Sequence, residues 1–302
     1  MRISSLLTVS ALLALFAGPA QAQGMEDVEI RTEHAAGDVY VLFGQGGNIG
    51  VLPTPRGIIL VDDQYAPLTE RIKAAVAEID DGPIRFVLNT HWHPDHTGGN
   101  EKLGELGTVI VAHDNVHKRM SSDQFIEFFD STVPAASLEA LPVVTFNHEL
   151  SFRLGEQVRI YHIPHAHTDG DSLVHFTESN VIHMGDLMFR DRYPFIDLDS
   201  GGNLAGVIDG IERAREIADE ATVIIPGHGT LGDVAALERY HAMLVAARDR
   251  VGDLMAEGRS LEEILEARPM ADYDEAWGGG FIGPEAFLRL VHESLEKQGH
   301  RH

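Results

Sequence analysis

The sequence predicts an α/β fold in one large domain, and three observations lead there. Short β-branched apolar runs end abruptly on Gly, Asp or His; amphipathic helical stripes lie between and after them; and the 302 residues show no internal repeat. After loss of a leader the chain is about 280 residues, enough for a single substantial core.

Taken in order, Met1-Arg2, the apolar stretch from Leu6 to Ala17, and Ala20-Gln21-Ala22 form the basic start, hydrophobic segment and small-residue cleavage site of a signal peptide. The apolar run is too short to span a bilayer, so export to the periplasm is expected, with no membrane attachment after cleavage. Residues 1–22 are thus a signal peptide and 23–302 a single domain. Val39 to Phe43, Gly50 to Leu52 and Ile58 to Val61 read as strands, with turns at Gly44 to Gly47 and Pro53 to Gly57. Leu68, Ile72, Val76 and Ile79 recur at helical spacing. Leu204, Val207, Ile208 and Ile211 mark a second helix, and Leu237, Leu244 and Val251 a third. Ser260 with Glu263 is a capping box opening another helix, and Phe287, Leu288, Val291 and Leu295 mark the last.

The chemistry concentrates where strands end. Ile84 to Thr90 has the content of a buried strand and runs into His91-Trp92-His93-Pro94-Asp95-His96-Thr97-Gly98-Gly99. Neutral imidazoles and a carboxylate are the ligands that borderline cations such as zinc accept, and these sit on one short loop. Val158 to Ile163 leads into Pro164-His165-Ala166-His167-Thr168-Asp169-Gly170-Asp171, Val181 to His183 into Met184-Gly185-Asp186, and Thr222 to Ile225 into Pro226-Gly227-His228-Gly229. Four strand ends therefore present potential ligands, at the position where α/β folds keep them.

In these segments the chain resembles the metallo-β-lactamase superfamily, whose signature is His-x-His-x-Asp-His followed by a distant His, an Asp and a final His. The resemblance runs from about Asp38 to Gly229. It implies an αββα sandwich. It also implies two zinc ions per chain, with iron or manganese as other options: His91, His93 and His167 on the first, Asp95, His96 and His228 on the second, and Asp186 bridging. His165 competes for the third position, but His167 matches the family's His-Thr-x-Gly context. Between two such cations a shared water loses a proton near neutrality, and Asp95 would hold the resulting nucleophile in register.

The expected function is an exported dizinc hydrolase acting on a small amide or ester of lactam or lactone type. An Asp at 186 resembles thioesterases, lactonases and general hydrolases of the superfamily. Exported β-lactamases of the zinc-cysteine type instead carry Cys there and Lys three positions later, where this chain has Phe189 with Arg190 and Arg192 nearby. The run from Gly185 to Asp197, with Ser200-Gly201-Gly202, looks like a group of exported lactamase-like hydrolases, which implies weak lactam cleavage. Two rival readings are a mononuclear iron sulfur dioxygenase on the same scaffold and a non-catalytic periplasmic zinc-binding or accessory protein. The net charge of −24 disfavours a nucleic acid or other polyanion as partner. No cysteine is present, so stability rests on packing and metal.

Other residues carry weaker expectations. His162, His175 and His183 alternate with apolar residues and read as structural, whereas His113 and His117 read as solvated at a helix start. Asp169 or Asp171 is expected either to orient a ligand imidazole or to shape the turn. The glycine-rich turn at Gly44 to Gly50 could close over substrate, with Phe125, Phe128 and Phe129 lining the pocket.

Overall fold

A computed structural model describes residues 24–299. The signal peptide expected over residues 1–22, and the tail residues His300 and His302, lie outside the described residues.

The first sheet is built from β1 (Arg31–Ala36), β2 (Val39–Phe43), β3 (Ile49–Leu52), β4 (Ile58–Val61), β5 (Ile84–Leu88) and β6 (Val109–His113) in sequential order. A hairpin of β7 (Gln124–Ile126) and β8 (Ser131–Val133) stands apart, and β9 (Val144–Phe146) completes the first sheet beside β6. The second sheet runs in order through β10 (Glu149–Arg153), β11 (Gln157–His162), β12 (Ser172–Phe176), β13 (Val181–His183) and β14 (Val223–Ile225). Pairing is antiparallel from β1 to β4 and parallel from β4 through β5 and β6 to β9; in the second sheet only β13 with β14 is parallel.

The helices are α1 (Thr69–Ile79), α2 (Pro94–Thr97), α3 (Asn100–Glu105), α4 (Asp114–Met120), α5 (Leu204–Ile217), α6 (Val234–Ala256), α7 (Leu261–Ala267), α8 (Asp274–Trp277) and α9 (Pro284–Gly299). Their starts are written locally. Asn203 accepts from the Ala205 amide at the head of α5, Asp233 from Ala236 at the head of α6, and Ser260 and Glu263 form the expected reciprocal box on α7.

Strand alternation sorts side chains into layers. Val39 and Val41 of β2, Ile59 and Val61 of β4, and Leu88 of β5 share one cluster with Val158, Ile160, Val174, Phe176 and Ile225 of the second sheet. Their alternates Leu42, Ile58, Leu60 and Val87 turn the other way and pack with Leu68, Ile72 and Val76 at α1. On the far side Tyr161, Leu173, Ile182 and Ile224 cluster with residues of α5, α6 and α9, among them Val207, Leu244 and Phe287. The result is the αββα sandwich. Truncating one of the fully buried inter-sheet residues, such as Ile59, to Ala costs about 2–5 kcal/mol through lost transfer energy and the cavity left behind.

Candidate metal centre

Parallel strands end together at one edge of the sandwich, and their carboxyl-terminal loops meet there. The loop after β5 carries His91, His93, Asp95 and His96; the β11–β12 loop carries His167; and the segments after β13 and β14 carry Asp186 and His228. Pro94 opens the single turn of α2 with its fixed φ, and that turn separates His91 and His93 from Asp95 and His96. Two groups of ligand-type side chains result: His91, His93, His167 and Asp186 in one, Asp95, His96 and His228 in the other. The seven residues singled out by sequence are thus brought together. His165 is excluded, lying exposed with a left-handed backbone and its Nδ1 on the Gly201 carbonyl.

Within the first group His93 Nδ1 lies 3.0 Å from His91 Nε2 and 2.9 Å from His167 Nε2, with Asp186 Oδ2 3.5 Å from His167 Nε2 and 3.8 Å from His91 Nε2. Within the second, His228 Nε2 is 3.4 Å from His96 Nε2 and 3.3 Å from Asp95 Oδ2. Asp186 spans both, its Oδ1 lying 3.1 Å from His96 Nε2 and 3.3 Å from His228 Nε2.

What the outer ring nitrogens do decides what the inner ones are. His93 Nε2 faces Asp197 Oδ2 at 2.9 Å, His96 Nδ1 faces Asp62 Oδ2 at 2.7 Å, and His167 Nδ1 faces the Phe195 carbonyl at 2.9 Å. Carboxylates and carbonyls only accept, so each of those nitrogens carries the ring proton. Thr90 Oγ1 donates to Asp62 Oδ2 and therefore accepts from His91 Nδ1, 3.1 Å away. In the neutral state every inward nitrogen of these four rings is then a lone pair, and lone pairs held about 3 Å apart repel unless a cation or a proton sits between them. Asp186 Oδ1 is buried and faces the His96 and His228 Nε2 atoms. A donor set of imidazole nitrogens and carboxylate oxygens fits divalent cations, with Asp186 offering one oxygen to each group.

The electrostatics agree. Burial holds His91 well below the ordinary imidazole range and brings His167 down to about 4, leaving both neutral and ligand-ready. Burial opposes charge on His96 and His228 as well, but Asp186 and Asp95 outweigh it, raising His96 and lifting His228 to about 9. Protons and metal ions compete for these two rings. Burial also works against the Asp197 carboxylate, yet the donors from His93 and Ser200 bring it down to about 2, so it remains a full negative charge behind the first group.

Small residues make the approach possible. A Cβ on Gly47, in the β2–β3 turn, would lie 2.1 Å from His96 Cε1, and one on Gly227 would lie 2.1 Å from Asp186 Oδ1. Above the two groups opens a cavity of about 310 Å³ whose floor includes Asp95, Asp186 and His228. Gln45 and Gly46 of the glycine-rich turn line it; so do Phe129 and Arg192. Phe125 points into solvent instead, and Phe189 stacks on His228 with ring centres 5.2 Å apart. Arg190 pairs with Asp191 at 2.8 Å.

Several expectations change. His113 is buried, 4 % exposed, and stacks face to face on His162 at 3.5 Å, while His117 is half-buried with Nδ1 on the Pro142 carbonyl; neither is solvated. Asp169 forms a bidentate pair with Arg119, and Asp171 accepts from the amide and hydroxyl of Thr168, so both shape the loop and neither touches a ligand ring. The carboxylates that do orient ligand imidazoles are Asp62 and Asp197, which sequence reasoning missed. Asp62 had a signal, standing at the end of an apolar strand, and it holds a left-handed backbone (φ 64°) while gripping Thr90 and His96.

A centre of clustered imidazoles and carboxylates at one edge of an αββα sandwich defines a fold class composed mostly of metal-dependent hydrolases. The chain belongs to the metallo-beta-lactamase superfamily, whose family model matches residues 44–228. It is 28 % identical over 171 residues to an uncharacterized protein of Aquifex aeolicus, covering 55 % of this chain and 80 % of that one. It is 29 % identical over 107 residues to a hydroxyacylglutathione hydrolase of Erythrobacter litoralis, covering 35 % of each, so the chain spans about a third of that relative. Among solved structures, a metallo-beta-lactamase from Pontibacter korlensis superposes with a TM-score of 0.58 at 19 % identity, covering 72 % of this chain and 99 % of that one. At that identity the likeness speaks for the fold.

Proposed function

We propose that this protein is a dizinc hydrolase that cleaves a small amide or ester, lactam, lactone and thioester included. The observation that carries the reading is Asp186, whose two oxygens face the two groups separately, Oδ2 toward His91 and His167 and Oδ1 toward His96 and His228. His91, His93, His167 and Asp186 would hold one cation, and Asp95, His96, His228 and Asp186 the other. Cations there would supply Lewis acidity and lower the pKa of a water toward about 7. The protein's own share is positional. Asp62, Asp197 and the Phe195 carbonyl keep protons on the outer ring nitrogens, so the inner nitrogens stay available as ligands. Asp95, at the cavity floor and partly exposed, is placed to accept a hydrogen bond from the attacking water and orient it. A hydrolase among the relatives supports the reaction class, and the completeness of the second group favours two metals over one.

The test is metal analysis joined to a panel of lactam, lactone, thioester and phosphodiester substrates, run on the wild type and Asp186→Ala. About two zinc equivalents per chain and hydrolysis of an amide or ester are expected. Asp186→Ala should lose metal and at least about a hundredfold in kcat/KM. A preparation holding one iron and hydrolysing nothing sinks the proposal in favour of oxygen-dependent sulfur chemistry, and tightly held zinc without turnover sinks it in favour of a binding protein.

A further inference from the structure

The cavity over the metal centre has one unusual side. Phe129, Phe195 and Phe281 line it, and Phe128 backs them. Ring centres lie 4.9 Å apart for Phe129 and Phe195, 5.5 Å for Phe129 and Phe281, and 5.1 Å for Phe128 and Phe195. These are the offset and tilted contacts of an aromatic cluster, yet this cluster is not closed over: Phe128 is 40 % exposed and Phe281 50 % exposed. An apolar face left open beside a polar centre marks a binding surface.

The wall is assembled from three distant segments, each anchored. Phe128 and Phe129 ride a short turn after β7, pinned where the Glu127 amide donates to Asp199 at 2.8 Å. Phe195 is buried, and its own carbonyl holds His167, so the wall is fixed directly to the first group, with His93 6.1 Å and His167 5.8 Å from its ring. Phe281 arrives from the loop between α8 and α9, beyond the family-matched residues, held by the buried neighbour Ile282.

We infer that the wall of Phe129, Phe195 and Phe281 is an acyl-group subsite that selects substrates bearing an aryl or extended apolar group next to the scissile carbonyl. The wall and the floor with Asp95 and Asp186 bound one continuous cavity, so a carbonyl seated at the floor places its acyl substituent against the rings. The inference rests on the hydrolase reading above for its orientation, but binding to the wall does not depend on turnover.

The experiment measures binding of 4-phenylbutyrate and of acetate to the zinc-replete protein by calorimetry, alongside hydrolysis of p-nitrophenyl phenylacetate and p-nitrophenyl acetate. Each methylene-sized increment of buried apolar surface is worth about fourfold. Phenylbutyrate is therefore expected to bind at least about thirtyfold tighter than acetate. The gap should narrow at least about tenfold in Phe129→Ala/Phe281→Ala. Phe281→Ala alone, truncating an exposed ring, should narrow it in part and keeps the test decisive if the double variant misfolds. Equal binding of the two acids overturns the subsite. So does a gap unchanged by the substitutions, or a wild-type dimer that Phe281→Ala dissociates without changing the gap. Preferential binding with neither these esters nor any lactam, lactone or thioester of the panel cleaved leaves the subsite standing and removes the hydrolase reading; cleavage with no acyl preference does the reverse.

Discussion

A ring nitrogen becomes a metal ligand only when something else holds its proton, and at this centre the holders are as specific as the ligands. Asp197 lies 104 positions from His93 and Asp62 34 positions from His96, yet each closes a bond under 3 Å on the outer nitrogen. Replacing Asp197 by Asn retains the shape but removes the charge and offers the ring an amide that can present either end. Asp197→Asn is expected to weaken zinc binding by about 10–100-fold, read by competition with a chelating dye, while circular dichroism stays unchanged. Wild-type affinity in that variant would show that the bond is incidental. The clustered candidate ligands were legible in sequence because a short loop places four of them together and the remaining three follow strand-like runs. Of their partners, Asp62 carried a signal at the end of the apolar strand β4, whereas Asp197, a lone acidic residue in a loop, carries no local mark of the imidazole it will meet. The same holds for His113 and His162, read as unrelated and in fact stacked, since only the neighbouring positions of β6 and β11 bring the rings face to face.

At the scale of elements, β2, β4, α1, α5, α6 and α9 were all foreseen because their apolar residues form short continuous runs in the strands and recur at helical spacing in the helices. The outer strands β1 and β10 are not, since exposed residues such as Arg31, Glu149 and Arg153 interrupt the apolar signal. The turn joining β2 to β3 reads in sequence as a flexible glycine stretch, and the structure gives it a definite task. Gly47 passes against the His96 ring, its amide donating to the Asp95 carbonyl at 3.0 Å. Gly47→Ala has no room for its methyl, so the turn or His96 must shift. Under the dizinc proposal the expected outcome is loss of about one of two zinc equivalents and at least about a tenfold fall in kcat/KM, with the fold retained. Full metal content in that variant, by elemental analysis, would mean that the turn yields and the ring does not. The aromatic wall was legible only in part. Phe129 was foreseen at the pocket, but Phe281 comes from a loop between helices whose sequence gives no hint of its destination.

For the molecule as a whole, buried histidines outside the centre set an acid limit. Burial brings His183 down to about 4, and burial together with the stacked His113 does the same to His162. In the unfolded chain an imidazole titrates near about 6.5. Between about 6.5 and 4 the unfolded state therefore binds protons that the folded state refuses, and stability present above that window is lost as pH falls through it. Thermal melts of the protein from pH 7 to pH 4 should show Tm falling across this interval, and His162→Gln should flatten the slope. An identical slope in the variant would remove His162 from the account.

The seven converging side chains also have an architectural meaning. Four of them leave the sheet that begins at β1 and three leave the sheet that ends at β14, so a cation lodged among them rivets the two halves of the sandwich across their open seam. A molecule with no cysteine to cross-link itself would thereby gain, beside the apolar packing between its sheets, a second tie from the atoms that equip it for chemistry. Stripping the metal would slacken the whole body as well as silence the site.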